Sequence, residues 1–459
     1  MTVRVSEQVK NVLLALLVLL SLFLSWQLWT YQPRYDYLPP AKFDEPEGLA
    51  DRREFHELIK PHMIVHHLGE EQYTVSYPDT FSYNVIQRKM KEWELQPIRL
   101  LERERYADWQ ELFYQEQGIE LVFWNGIPLQ VLGGMFKVNL EEWLDHMDQN
   151  QLPRINRVWL HHDPHLENEV SVLFFSEEDQ LLLRSRTSNI SIRDLGDYIA
   201  LGKTGPVHEA YVVKEEDQPV HTVHYLSADP VSVAERVYHY QRIPVYHMVS
   251  YLFVDPTLVR RIEERGDSIL YIHGPRGLQV NKAYTQMTYF HPPLEAETRG
   301  VSSSVVDVGR GIQFVNQHKG WDKPYVFDSI TEMHSERLVQ VYFREYVEHY
   351  PVFGLEQEDT LYTLRVDIQM DRVVGYVRSL LERGEAANQR QLQLPSGVEL
   401  LTALEAQGID LAEISTIRIG YKSEQDTMFL TYEPYWVVDF KQGKRWFIQN
   451  VQDVRRHLE

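Results

Sequence analysis

Cysteine is missing altogether from the 459 residues. That single absence excludes disulfides, thiolate metal sites and a cysteine nucleophile. Positive charge is scarce: 46 basic residues face 67 acidic ones, for a net charge of −21. Such a surface repels phosphate backbones and anionic headgroups, which argues against nucleic acid as a partner. The G-x-S-x-G, H-E-x-x-H and S-x-x-K signatures are absent too, so the common hydrolase motifs give no foothold. Low-complexity tracts are lacking. What remains, 43% hydrophobic and 25% charged residues, is the balance of a folded chain, long enough for roughly three domains.

One long apolar run stands out. Val12 to Leu28 reads VLLALLVLLSLFLSWQL without a charge. Extended to Tyr31 it makes a helix of about 30 Å, the thickness of a bilayer core. Trp26, Trp29 and Tyr31 sit at its far end, where amphipathic rings favour the headgroup layer, and Pro33 stops the helix. A cleaved signal peptide is the rival reading, but it needs small residues before a cut, and large aromatics close this run. The sequence therefore predicts a cytoplasmic tail over 1–10, a transmembrane helix over 11–31 and a proline-rich spacer over 32–48. Basic residues on the two sides nearly balance, so charge alone leaves the direction open. Asn11, Leu14, Val18, Ser21, Ser25 and Leu28 follow a 3-4-3-4-3 spacing, the seam of a left-handed helix pair. Ser21 and Ser25 are small enough to admit a second backbone, which makes this stripe the expected partner-binding face. Serines in a span can also simply be tolerated.

Beyond the spacer, strand-like runs are YTVSY, PIRLL, IELVFW, INRVWL, VSVLFF and QLLLRS. Helical spacing appears over 80–93, 106–117 and 192–201. Gly202-Lys203-Thr204-Gly205-Pro206 then breaks the pattern. Later, strand-like 268–272 and 278–289 precede helix-like 305–316, with strands over 337–346 and 350–353. In the last region strand-like 361–369 and 373–377 precede helix-like 398–407, then strands over 414–421, 427–432, 435–440 and 445–448. YVEHYPVF and LTYEPYWV share a texture, so the two regions read as an internal duplication. The expectation is an α+β protein: a mixed α/β N-terminal domain over 49–205, then two similar strand-rich domains over 206–354 and 355–459.

Sites of chemistry are harder to find. His161-His162-Asp163-Pro164-His165 offers three imidazoles and a carboxylate. In a strand, though, neighbours point to opposite faces, so a solvated turn is the preferred reading and no metal site is expected. Gly202-Lys203-Thr204 mimics the end of a phosphate loop, but Asp197 stands where that pattern needs glycine. The clusters Glu177-Glu178-Asp179 and Glu215-Glu216-Asp217 read as hairpin tips. Paired carboxylates of a wall-directed hydrolase meet only in three dimensions, so that alternative stays open, as does a passive envelope scaffold. No cofactor is called for.

Two stretches carry a family resemblance. LSLFLSWQLWTYQPRYDY (20–37) resembles the start of YycH proteins of Gram-positive bacteria, and ISTIRIGYKSEQDTMFLTYEPYWVV (414–438) resembles their end, including Gly420-Tyr421, Glu433-Pro434 and Trp436. The resemblance implies a short cytoplasmic tail, one membrane helix and three extracytoplasmic domains, the last two alike. It also implies a non-catalytic role. The expected partners are the essential sensor histidine kinase YycG (WalK), which governs cell-wall metabolism, and a YycI-like protein, met largely through membrane helices.

Overall fold

The computed structural model describes residues 13–14, 16–26, 51–101, 113–147, 152–163, 169–213, 218–264, 266–292, 304–318, 320–333 and 337–457. It divides into two compact units, Met1–Glu47 and Gly48–Glu459. In the first, residues 13–14 and 16–26 are helical. Among the described residues no helix is long and apolar enough to cross a membrane. Asn11, Leu28, Trp29 and Tyr31, together with the spacer over 32–48, lie outside the described residues.

The second unit is built on two large sheets. The first contains β1 (Met63–Gly69), β2 (Gln72–Ser76), β3 (Arg99–Leu100), β4 (Gly118–Pro128), β5 (Arg154–His162), β6 (Val170–Ser176), β7 (Leu181–Arg186), β8 (Val207–Val213) and β9 (Thr222–Ser227). Their order is β3-β7-β6-β5-β4-β1-β2-β8-β9. Helix α1 (Phe81–Met90) buries Tyr83, Ile86 and Met90, one stripe at helical spacing. Helix α2 (Ile192–Gly202) opens on a capping box, in which Ser191 and Asp194 satisfy each other's free backbone N–H groups. The central strands β4 to β6 are largely buried on both faces, which is why β6 reads as a nearly continuous apolar run.

The second sheet holds β10 (Val231–Arg242), β11 (Arg260–Glu263), β12 (Ser268–His273), β13 (Arg276–Asn281), β14 (Gln286–Phe290), β15 (Tyr325–Met333), β16 (Leu338–Val347), β17 (Tyr350–Phe353), β18 (Thr363–Gln369), β19 (Arg372–Ser379), β20 (Leu381–Leu394), β21 (Ile414–Gln425), β22 (Phe429–Phe440) and β23 (Arg445–Ile448). Its path runs β11-β12-β13-β14-β19-β18-β16-β17-β21-β22-β10-β20, with β15 on β16 and β23 on β22. Three helices accompany it: α3 (Val245–Leu252), α4 (Ser304–Gln317) and α5 (Gly397–Ala406). Strands are exchanged along this sheet. β10 precedes the whole central stretch yet pairs with β20 and β22 near the C-terminus. Conversely β18 and β19, which follow residue 354, lie between β16 and β14.

Hydrophobic cores follow the sheets rather than the chain order. One core runs from Ile64, Leu121 and Val158 of the first sheet to Leu278, Val366 and Leu380 of the second. Another gathers Val352, Leu400, Leu404, Tyr421, Trp436 and Ile448, and reaches β9 through Leu226. There α5 approaches so closely that a Cβ at Gly397 would collide with Leu226.

Several elements differ from the sequence reading. The run 278–289 is two strands, β13 and β14, separated by a turn in which Tyr284 has φ 56. The runs 427–432 and 435–440 are instead one strand, β22, passing through Pro434. Proline is tolerated there because β10 pairs only with Phe429 to Tyr432 and β23 only with Trp436 to Asp439, leaving its position without a neighbour on that side. Of the helix expected over 106–117, residues 113–115 are helical and 106–112 lie outside the described residues.

Candidate functional site

Of the expected partner-binding stripe, Leu14, Val18, Ser21 and Ser25 lie in the described helical residues. At 3.6 residues per turn, Leu14, Val18, Ser21 and Ser25 fall on one side. Leu14, Val18 and Trp26 are exposed, and so are Leu13, Leu17, Leu20 and Leu24 on the flanking side.

Of the histidine cluster, His161, His162 and Asp163 are described. His161 is buried, its ring stacked on Trp159 at 4.0 Å and Nδ1 3.1 Å from the His162 carbonyl oxygen. Burial pushes its pKa down to about 4. Asp163 pairs with Arg184 at 2.5 Å, and His165 lies outside the described residues. Among the described residues no group of histidines and carboxylates is placed to hold a metal. Gly202 of the Gly-Lys-Thr string has a packing role. A Cβ there would strike the buried His66 ring, so the glycine lets α2 close onto β1. Its carbonyl accepts from Thr74 Oγ1 at 2.8 Å.

Sequence reading missed the most heavily charged interior. Arg157, on β5, donates to Glu120 Oε1 at 3.0 Å, to Glu177 Oε1 at 3.2 Å and to the His221 carbonyl at 2.8 Å. Its guanidinium rests on the Phe175 ring at 4.5 Å. Glu120 is also bonded by His67 Nε2 at 3.0 Å and by the Tyr225 hydroxyl. Burial pushes the Glu120 carboxyl up, but Arg157, His67 and Tyr225 together hold it below the ordinary carboxylate range. Glu120 and Arg157 side chains are 0% and 2% exposed, so no substrate reaches them. A void of about 30 Å³ beside Glu177, Thr222, His224 and Thr416 has room for a single water. The network ties the β8–β9 hairpin to the middle of the first sheet.

A second ionic group lies where both sheets meet. Arg344 binds Asp328 at 3.0 Å and Asp359 at 2.9 Å, Arg418 binds Asp439, and Arg445 binds Asp439 at 2.5 Å. All three guanidiniums lie over the ring of Phe353, at 4.5, 5.1 and 4.2 Å. Arg418 also covers Trp124 of β4 at 4.9 Å, and Asn125 donates to Asp328. Three arginines and three aspartates thus balance in a joint where Arg344 and Arg418 are buried and the other four side chains partly so. The signal for it in sequence was weak, because each member stands alone among ordinary strand residues. Two surface grooves, of about 430 and 460 Å³, are lined by Gln96, Arg99, Arg184 and Arg186 in one and by Pro230, Glu399, Asp453 and Arg456 in the other. In the second, Glu399 completes the cap of α5 and Asp453 accepts from the Asn450 backbone.

Family comparison agrees with this architecture. The family described as YycH protein, N-terminal domain, matches residues 7–200, and that described as YycH protein, C-terminal domain, matches residues 221–452. The chain belongs to the YycH family. One relative in the YycH family is the two-component system WalR/WalK regulatory protein YycH of Bacillus subtilis (strain 168), 19% identical over 451 residues and covering 94% of each chain. The crystal structure of YycH from Bacillus subtilis is similar in fold, with a TM-score of 0.65 at 17% identity over 86% of this chain and 97% of that one.

Proposed function

We propose that this YycH-family chain is a membrane-anchored, non-catalytic regulator of a two-component sensor histidine kinase. Its N-terminal helix spans the membrane, with the tail cytoplasmic and the Gly48–Glu459 unit outside. The observation that carries this reading is the family match across both halves of the chain, together with a near-full-length relative named as a WalR/WalK regulatory protein. The apolar helix and the buried ionic network support action by contact rather than by turnover. Helix packing would bias the kinase between signalling states, which requires tighter binding to one of them. The kinase and a YycI-like membrane protein are the proposed partners, and the Ser21–Ser25 stripe is their proposed contact.

Lipid gives no hydrophobic drive for helix association, so close packing and inter-helix hydrogen bonds must supply it, at about 0.6–2 kcal/mol per polar contact. Ser21→Leu with Ser25→Leu should therefore weaken co-purification of the kinase or YycI-like protein several-fold from membranes. Leu17→Ala with Leu24→Ala should change it little. Equal effects at matched membrane levels would show that the stripe is misassigned.

A further inference from the structure

Strand β11 closes one end of the larger sheet. It pairs with β12 in unbroken register, Arg260 opposite Ile272, Arg261 opposite Tyr271, Ile262 opposite Leu270 and Glu263 opposite Ile269. No strand lies beyond it among the described residues, and all four of its residues are exposed. Such an edge offers a row of free N–H and C=O groups, which proteins usually guard with proline, lysine, a bulge or repelling charge. β11 has no proline, no lysine and no bulge.

Its charges, moreover, invite a copy of itself. The segment reads Arg260-Arg261-Ile262-Glu263-Glu264, a sequence whose signs invert about the central isoleucine. Antiparallel pairing about a twofold axis normal to the sheet sets one residue against itself. With Ile262 on the axis, Arg260 faces Glu264 of the second copy and Arg261 faces its Glu263, each pair occurring twice. Moving the axis one residue either way sets Arg261 or Glu263 against its own like charge, which is destabilising. The charges therefore select one register. Within the chain, Arg261 reaches Glu263 at 2.9 Å, and Glu264 accepts from Ser268 and from Gln279 at 3.0 Å.

The surface beside the edge fits the same arrangement. Cross-strand neighbours share a face, so Ile262, Leu270, Ile272 and Phe290 lie on one side of the sheet. Their opposite side is the core, with Ile269, Leu278, Val280, Met287 and Tyr289 buried. On the open side Ile262 is 47% and Phe290 39% exposed, and the Phe290 ring lies over Gly277, where any Cβ would collide with it. Pairing at β11 would join this apolar strip to its twin across the axis.

We infer that β11 pairs antiparallel with β11 of a second copy of this chain, joining two of the larger sheets across an axis at Ile262. The absence of native cysteine makes the test direct. In the full chain, in membranes or detergent, Ile262→Cys places two thiols on residues about 4.5–5.5 Å apart, within disulfide reach. Mild oxidation should give a covalent dimer. Leu258→Cys, also exposed but in the 3-10 turn before β11 and off the axis, lies apart from its own twin in this pairing, so it should stay monomeric. Charge provides the second measurement. In the Ile262→Cys background, Arg260→Glu with Arg261→Glu, or Glu263→Arg with Glu264→Arg, should each lower the dimer yield at least several-fold. Mixing the two reversed chains should restore it. Circular dichroism checks that each variant is folded. No dimer from Ile262→Cys would overturn the inference, and that outcome includes an edge occupied by a strand of a different protein. Equal cross-linking at 258 and 262, or reversed chains that dimerise alone, would overturn it as well.

Discussion

Five buried histidines set the acid limit of the folded unit. His62, His66, His161, His208 and His224 have their pKa values pushed from 6.5 to about 4, in each case chiefly by burial. A folded value below the unfolded one means stability is complete above 6.5 and is lost as pH falls from 6.5 towards 4. Each histidine contributes at most about 3 kcal/mol to that loss. Burial raises Asp328 and Asp439, but neighbouring arginines more than offset it and hold both low; their share disappears only at still lower pH. Thermal unfolding followed from neutral pH to about pH 4 should therefore show a steady fall in Tm. His161→Phe, which keeps a ring on Trp159, should flatten that fall; an unchanged slope would mean His161 does not titrate on unfolding. The sequence showed these histidines as polar residues but not as buried ones. His66 and His67 lie in MIVHHLG, where polarity suggests solvent. Their burial comes from α2 on one face and the Glu120 network on the other, partners more than fifty residues away.

At the scale of elements, legibility followed local periodicity. Strands β5, β6 and β7 and helices α1, α2, α4 and α5 were visible because short apolar runs or helical spacing marked them. β20 was not, since its middle, ERGEAANQR, is polar and exposed and is held as a strand only by β10. β15 and β10 were missed for a related reason: their strand state depends on partners remote in sequence. Division of the folded unit into domains over 49–205, 206–354 and 355–459 remains a proposal about sequence units. The strand exchange bears on how they could be separated. A fragment ending at residue 354 loses β18 and β19, and with them the buried Leu364, Val366 and Ile368. It should show collapsed or aggregated behaviour, with poor dispersion of its NMR amide signals. A sharply dispersed spectrum would show that the central segment holds its sheet without those strands.

For the whole molecule, the sequence conveyed the α+β class and the family, through its N-terminal apolar run and the Gly420-Tyr421 to Trp436 stretch. The pairing of Ile419 with Trp436 and Gly420 with Tyr435 explains why that stretch is recognisable: it is one local hairpin, β21–β22. The ionic joint around Phe353 could not be read, because its members come from β4, β15, β16, β21, β22 and β23. Topology is the remaining whole-chain test. Protease added to intact protoplasts should digest the unit from Gly48 onward; full protection would reverse the proposed orientation.

The position of β10 also sets a timetable for synthesis. Val231 pairs with Leu394, so a strand made in mid-chain waits for one made much later. At about 5–20 residues per second, the ribosome needs roughly ten to thirty seconds to supply that partner. During this interval Val233, destined for the interior, is uncovered on a nascent chain whose first sheet can already close. Such delayed pairing gives chaperones a defined window, and it makes the C-terminal sheet the last part of the molecule to become resistant to proteolysis.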